Sequence, residues 1–167
     1  MAAINVKNTV KITNFSDVNA EYEALEAIIP GMLLQQVSGL ETIEIHDTQG
    51  GNVIPMFAVE NELEGEGVDD DFAAGDKIQV WIPGRGDIVN ALLRDEETIT
   101  IGEFLMSDGE GRLMSLAITA GESGEAEAIR PIVGVAVENV DLSTLPEGSE
   151  SSAGGTYHNP RIMVRII

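Results

Sequence analysis

Few side chains in this 167-residue sequence could carry out catalysis. Cysteine is absent, which excludes a disulfide, a thiolate nucleophile and a thiolate metal site. His46 and His158 are isolated histidines, whereas zinc needs about three or four His or Cys ligands. Glu103 and Asp108, on adjoining predicted turns, come nearest to a pair of catalytic carboxylates, and nothing beside them supports that role. We therefore predict no enzyme, no metal site and no cofactor.

Short sequence motifs lead to the same expectation. The chain has neither the G-x-S-x-G context of a serine nucleophile nor a GxxxxGK[ST] phosphate-binding loop. Gly84-Arg85-Gly86 lacks the strand-to-helix context that a dinucleotide-binding loop requires. Arg85-Gly86-Asp87 spells the integrin-binding tripeptide, but a tight turn between two strands accounts for these glycines more simply.

The acidic residues define the electrostatics of the chain. The formal net charge is −20 and the isoelectric point is near 4.1, which argues against direct binding to nucleic acid, since phosphate contacts need Lys and Arg. Residues 60–76 hold eight acids and only glycine, apolar and amide residues between them. A calcium loop is one interpretation, but the EF-hand pattern is missing, so a solvated acidic loop is preferred.

No targeting or membrane segment is predicted. Residues 1–10 lack an apolar core of signal-peptide length, and no apolar run reaches the roughly 20 residues of a membrane span. We expect a protein that is soluble in the cytoplasm in which it is made.

The elements that would position any functional group are strands. In Lys77–Ile82, apolar residues alternate with Lys77, Gln79 and Trp81, as in a half-buried strand, and Gly84 and Gly86 supply the following turn. Further strands are predicted over 87–93, 98–101, 103–106, 129–138 and 161–167, with Asp108-Gly109 as a second hairpin turn. The prediction is an all-β chain, a compact barrel or sandwich with at most one short helix.

Residues 20–29 are the segment whose secondary structure stays open. Their composition is the best for a helix in the chain, yet a strand is also possible because no clean face emerges. Gly134 within the 129–138 strand indicates a bend or a close backbone approach. We predict an N-terminal arm over 1–19 and a single β domain over 20–167, with an acidic loop at 60–76 and a Ser/Gly-rich loop at 142–156.

The arm is the candidate binding element. It is near-neutral to basic in an otherwise acidic chain, which favours a reach onto a partner, although an ordinary first strand is equally consistent. Removal of residues 1–15 is expected to weaken partner binding and leave the fold intact. Trp81 is predicted to point outward as an interface anchor, with packing beneath the acidic loop as the alternative. The predicted interface residues are Ile4, Val6, Lys7, Val10, Lys11, Ile12, Phe15, Trp81 and Arg85.

A series of short segments in fixed order gives the chain a resemblance to a known family. The segments are Ile29-Pro30-Gly31-Met32-Leu33, Ala58-Val59-Glu60, Val68-Asp69-Asp70, Ala74-Gly75-Asp76, Gly86-Asp87-Ile88-Val89-Asn90-Ala91-Leu92-Leu93, Ile99-Thr100-Ile101-Gly102-Glu103, Leu105, Ser107-Asp108-Gly109, Gly111-Arg112-Leu113, Ile132-Val133-Gly134-Val135-Ala136-Val137-Glu138 and Arg161-Ile162-Met163-Val164-Arg165-Ile166. In this order they resemble the capsid decoration, or cement, proteins of tailed bacteriophages, over about residues 28–138 and the C-terminal strand.

The resemblance implies a small all-β domain of the β-tulip type. It implies homotrimers at threefold positions on the outer surface of the expanded head, where they hold neighbouring major capsid protein subunits together against the pressure of packaged DNA. It also implies an N-terminal arm that reaches the capsid protein or a neighbouring subunit.

Two other classes of function remain as alternatives. One is an acidic β-rich binding module, for carbohydrate or for calcium-dependent adhesion, in which clustered carboxylates would hold the ion. The other is a barrel enzyme with an Asp-based site, for which Glu103 and Asp108 would have to converge in a pocket.

Overall fold

The computed structural model describes residues 9–13, 15, 18–37, 41–116, 131–143 and 159–167. These residues form strands joined by turns and contain no helix, so the predicted all-β class is confirmed. The strands are β1 Lys11–Thr13, β2 Val18–Ala24, β3 Leu34–Gln36, β4 Thr42–Ile45, β5 Phe57–Val59, β6 Lys77–Ile82, β7 Ile88–Leu92, β8 Thr98–Ile99, β9 Phe104–Ser107, β10 Leu113–Ser115, β11 Gly134–Ala136, β12 Val140–Asp141 and β13 Arg161–Ile166.

The larger sheet has six strands in the order β1-β7-β13-β11-β9-β10 and curls into a half-barrel. Its longest pairing joins β13 to β7, antiparallel, from Arg161 opposite Leu92 to Arg165 opposite Ile88. The C-terminal strand is therefore inserted in the middle of the sheet, as the apolar 161–167 segment predicts.

A second sheet has five strands in the order β3-β4-β2-β6-β5, and β8 and β12 form a separate two-stranded ribbon. Residues 20–29 do not form a helix, since Val18–Ala24 pairs antiparallel with all of β6 and parallel with β4. Cross-strand pairing on both sides of β2 outweighs the helix propensity of its Ala and Glu residues. The expected boundary between residues 19 and 20 falls inside this strand.

Buried side chains form two apolar clusters. One lies along the larger sheet and includes Leu93, Leu105, Val164 and Trp81. The other lies within the five-stranded sheet and includes Ile28, Ile43, Ile78 and Val80. Strand β6 contributes to both clusters, because Trp81 faces the first while Ile78 and Val80 face the second.

Gly134 illustrates why the centre of the larger sheet needs a residue without a side chain. A β-carbon at this position would lie 2.6 Å from the Arg165 carbonyl oxygen and would clash with Val164. The close backbone approach predicted for Gly134 is confirmed.

Three expected features fall on residues that the structure does not describe. They are a loop that small and acidic residues predict over 120–128, most of the Ser/Gly-rich loop 142–156, and residues 1–8, 14, 16 and 17 of the arm. None of the described segments is a helix with the length and apolar character to span a membrane.

Candidate functional site

The described part of the N-terminal segment before β2 comprises residues 9–13 and 15, of which residues 11–13 belong to the larger sheet. Strand β1 pairs antiparallel with β7, with Lys11 opposite Val89 and Thr13 opposite Ile88. Asn90 holds the chain just before this strand: its backbone N–H donates to the Val10 carbonyl at 2.9 Å, and its side-chain amide donates to the Thr9 carbonyl at 3.2 Å. Residues 11–13 thus form an ordinary edge strand, which was one of the two structures that the sequence allowed for this segment, the other being an arm that reaches onto a partner.

Asn90, Glu60 and Asp87 bind backbone groups of the N-terminal segment, and these three residues are called the seat below. Glu60 is the buried hydrogen-bond acceptor among them. Its carboxylate is 5% exposed and accepts the Val10 N–H, with nitrogen–oxygen distances of 3.2 and 3.1 Å. A hydrogen bond to a carboxylate is stronger than one between neutral groups, and here it satisfies a donor that water cannot reach. The acidic loop is therefore not solvated throughout, since its first acid belongs to the interior.

Asp87 closes the other end of the seat. It is fully buried, and its Oδ2 accepts the Gly84 N–H at 2.8 Å while its Oδ1 accepts the Phe15 N–H at 2.5 Å. The carboxylate of the Arg85-Gly86-Asp87 tripeptide is thus used inside the protein. The turn interpretation of this tripeptide is confirmed. Binding to an integrin would need an accessible Asp87 carboxylate, and this carboxylate is buried.

The prediction that Trp81 points outward is wrong. Its side chain is fully buried in the cluster of the larger sheet, between Asn19 of β2 and Phe57 of β5 in the strand register. The Lys11 ammonium lies 5.7 Å from the ring centroid and covers the indole. The alternation along β6 did not predict this burial because the face that carries Trp81 packs against the cluster of the larger sheet, so that both faces of β6 are covered.

The other predicted interface residues divide into three groups. Ile4, Val6 and Lys7 lie outside the described residues. Val10 is fully buried, so removal of residues 1–15 would open the core, contrary to the expectation of an intact fold. Lys11 and Ile12 are partly exposed, while Arg85 is exposed and the Phe15 side chain is 83% exposed.

An apolar groove lies on the face of the larger sheet that points away from the core. It is lined by Ile101, Gly102, Val135, Ala136, Val137, Arg165 and Ile167, and these residues are called the groove below. Val135 stands opposite both Phe104 and Arg165 in the strand register, which places these three side chains on one face. Ile101 is 59% exposed, Ile167 49% and Phe104 41%.

The sequence contained a signal for this groove that the search for chemistry did not use. In 132–137 both sets of alternating positions are apolar or small, which is typical of a strand that is covered on both faces. In the described chain, Gly134 and Ala136 of β11 are buried on the core side, while Val135 and Val137 remain partly exposed.

Two of the polar residues considered for catalysis, His46 and Asp108, have structural partners, and His158 lies outside the described residues. His46 is buried, with its Nδ1 2.7 Å from the Ser107 hydroxyl and its Nε2 3.4 Å from the Asn52 carbonyl oxygen. Burial raises the pKa of Asp108, whose Oδ1 accepts the N–H groups of Glu110 and Arg112 and so shapes a turn. These contacts support the fold and assemble no nucleophile with an acid and a base.

The exposed acids of residues 60–76 do not converge. Within the described ranges, no group of three or more His, Asp or Glu side chains has the arrangement of a metal site. Asp70 and Asp76 accept local backbone N–H groups, from Gly67 and Ala73 respectively, each at 2.7 Å. Asp69 lies 3.5 Å from Arg161, whose guanidinium also donates to the Val68 carbonyl and holds this loop against β13.

The chain is similar to known proteins in its fold and not in its sequence. No family model matches the chain, and no curated protein matches it by sequence. Among solved structures, the chain is similar to the head fiber gp8.5 N base of bacteriophage phi29, with a TM-score of 0.52 and 16% identity over 91% of this chain and 95% of that one. At this identity the match shows that the two share a fold.

Proposed function

We propose that this chain is a structural protein of a bacteriophage head, without enzymatic activity, that binds the outer surface of the capsid. The observation that carries the proposal is the fold shared with a phage head fiber base over 91% of the chain. The ordered series of segments that resembles capsid decoration proteins points, independently of the coordinates, to the same part of a virion.

The finer proposal is that the protein acts as a homotrimer at threefold positions and cements neighbouring major capsid protein subunits. Three weak contacts that are joined in one assembly bind with high avidity, because the second and third contacts form at high effective concentration. A net charge of −20 suits the outer side of such a shell, where like charges keep the particles apart in solution.

The sequence of residues 1–8 and the described residue Phe15 supply the two candidates for the capsid contact in this proposal. Residues 1–8 carry Lys7 and alternating apolar residues and precede the point at which Thr9 is fastened by Asn90. Phe15, 83% exposed, lies next to the anchor formed by Asp87. The proposal assigns these residues to the capsid protein, and it assigns no direct contact to nucleic acid or membrane.

The test is to add the purified protein to expanded heads that lack any bound outer protein and to image them by electron cryomicroscopy. We expect density on the outer surface at threefold positions. Bare heads at saturating protein would contradict capsid binding, and density at another symmetry position would contradict the trimeric arrangement alone.

A truncation then tests the arm. Removal of residues 1–8 leaves Thr9, Val10 and β1 in place, so we expect an unchanged unfolding midpoint and weaker head binding. The matched control replaces Lys7 alone by Ala in the full chain, which isolates its charge from the apolar residues. Unchanged affinity of the truncated protein for heads would refute the role of the arm.

A further inference from the structure

The groove exposes apolar side chains, and its chemistry indicates what kind of partner would bury them. Its walls are apolar, with Ile101, Val135, Val137 and Ile167 partly or largely exposed, and its floor is open at Gly102. Gly102 has a φ of 92°, and a β-carbon there would meet nothing within 4 Å, so neighbouring side chains leave this space empty. Burial of these side chains would be favourable because apolar surface would leave water.

The rim of the groove is positively charged in an otherwise acidic protein. Arg165 is exposed beside Ile167, and no carboxylate of the described residues lies within 4.0 Å of it. Arg85 is also exposed and without such a pair, and the Gly86 N–H donates to the Ile166 carbonyl at 2.8 Å, which brings the Arg85 turn to the same end of β13. The groove therefore fits an apolar side chain that is flanked by carboxylates.

A segment of that description projects from this same protein. Leu63 is 91% exposed at the tip of a turn, between exposed Glu62 and Glu64. The turn is closed by hydrogen bonds from the N–H groups of Glu64 and Glu66 to the Asn61 carbonyl, at 3.1 and 3.2 Å. A large apolar side chain held outward on a closed turn loses little conformational freedom when it binds. We call residues 61–65 the acidic tip.

The acidic tip cannot fill the groove of its own chain. Lys11, which lines the cleft beside Leu63, belongs to β1 at one edge of the larger sheet, and β7 and β13 separate β1 from β11. Lys11 is in register with Val89 and thus on the core-facing side, whereas Arg165 and the groove lie on the opposite face. Contact between tip and groove requires two molecules.

We propose that the acidic tip of one copy docks in the groove of a second copy, with Leu63 on the apolar floor and Glu62 and Glu64 beside Arg165 and Arg85. The contact joins two different surfaces, so it is heterologous and forms a ring when its rotation closes. It deepens the proposed function by assigning the interface of the homotrimer, and it rests on that proposal only for the number of subunits.

The absence of native cysteine permits a direct test by disulfide formation. A tagged Leu63→Cys protein is mixed with an untagged Ile101→Cys protein, and the mixed disulfide is followed under mild oxidation by non-reducing electrophoresis and mass spectrometry. The matched control is Ile54→Cys, which is 67% exposed and lies outside the groove. We expect the Leu63–Ile101 pair to form at least about tenfold faster than the Leu63–Ile54 pair, because docking raises the effective concentration of the two thiols.

Charge reversal supplies the second arm of the experiment. In the Leu63→Cys background, Glu62→Lys with Glu64→Lys should slow the mixed disulfide by about fivefold, and Arg165→Glu in the Ile101→Cys partner should restore it. These positions are exposed, so equal unfolding midpoints serve as the folding control. Equal rates for the groove and control cysteines, or charge reversal without effect, would overturn the inference.

The outcome is separable from that of the head-binding test. Decorated heads without a mixed disulfide would refute the tip-and-groove contact and leave the proposed function in place. A mixed disulfide with bare heads would support self-association and refute binding to the capsid.

Discussion

The two surfaces of the larger sheet differ in how their polar and apolar groups are satisfied. The seat of the N-terminal segment is closed: Glu60, Asp87 and Asn90 each bind backbone groups of residues 9–15, and Trp81 is fully buried beside them. The groove is open, with exposed Ile101 and Ile167 and with Arg165 unpaired in the described part of the chain.

This difference separates stability from binding. A buried carboxylate or amide that lost its partner would cost free energy, so the seat holds Thr9, Val10 and Phe15 in place. The exposed groove side chains do not need intramolecular hydrogen-bond partners, because apolar groups have none to satisfy and an exposed arginine is solvated by water. They therefore contribute little to the free energy of unfolding. We therefore expect substitutions in the seat to change the free energy of unfolding, and substitutions in the groove to change association.

The largest expected effect is that of Trp81→Ala. Removal of a fully buried indole should lower the free energy of unfolding by about 3–5 kcal/mol, because transfer and cavity terms add. Urea denaturation followed by circular dichroism measures it, with Trp81→Phe as the control that retains an aromatic ring and should lose less. A decrease in the free energy of unfolding below about 1 kcal/mol would mean that Trp81 is not packed in the cluster of the larger sheet.

Glu60→Ala should have an intermediate effect. It leaves the Val10 N–H buried without its carboxylate acceptor, which should lower the free energy of unfolding by about 1–3 kcal/mol. Trp81 fluorescence during urea denaturation provides the readout. Glu60→Gln keeps an oxygen acceptor and should recover part of the loss, and Glu62→Ala, at an exposed acid two residues away, should stay within about 0.5 kcal/mol of the parent. Equal losses at positions 60 and 62 would contradict the closed seat.

The smallest effect on stability is expected at the groove. Ile101 is 59% exposed, so Ile101→Ser should change the free energy of unfolding by no more than about 0.5 kcal/mol. The same substitution should weaken self-association, since it removes an apolar wall from the proposed contact. Sedimentation velocity over a concentration series distinguishes the two effects. Strong destabilisation without any change in association would mean that Ile101 supports the fold, as the seat residues do, and would contradict a role of the groove in association.

Several local features could be predicted from the sequence because nearby residues determine them. Alternation of apolar residues located β6, and Gly84, Gly86 and Asp87 indicated a turn that is closed by a hydrogen bond between Gly84 and Asp87. Gly134 marked a close backbone approach that only a residue without a side chain allows. The turn has local hydrogen bonds, whereas Gly134 faces Val164 and Arg165 of β13, so the sequence indicated a close neighbour without identifying which strand it is.

Other features depended on residues far apart in the chain. The burial of Trp81 followed from its packing in the cluster of the larger sheet, to which Val10, about seventy positions earlier, and Val164, about eighty positions later, both contribute. Residues 20–24 of the helix-favouring segment 20–29 became part of strand β2, in part because β6, more than fifty positions later, pairs with it. Local propensity carries no information about which strand will arrive as a neighbour.

The sequence by itself determined the all-β class, the main turns and the lack of a catalytic motif, because composition and short-range periodicity encode them. Only the tertiary structure decided which apolar face is covered. Val135 and Ala136 are adjacent in β11 and project from opposite faces; Val135 is partly exposed and Ala136 is 1% exposed. That assignment depends on how the sheets pack and on the twist between strands, so the groove became visible only when the strands were in place.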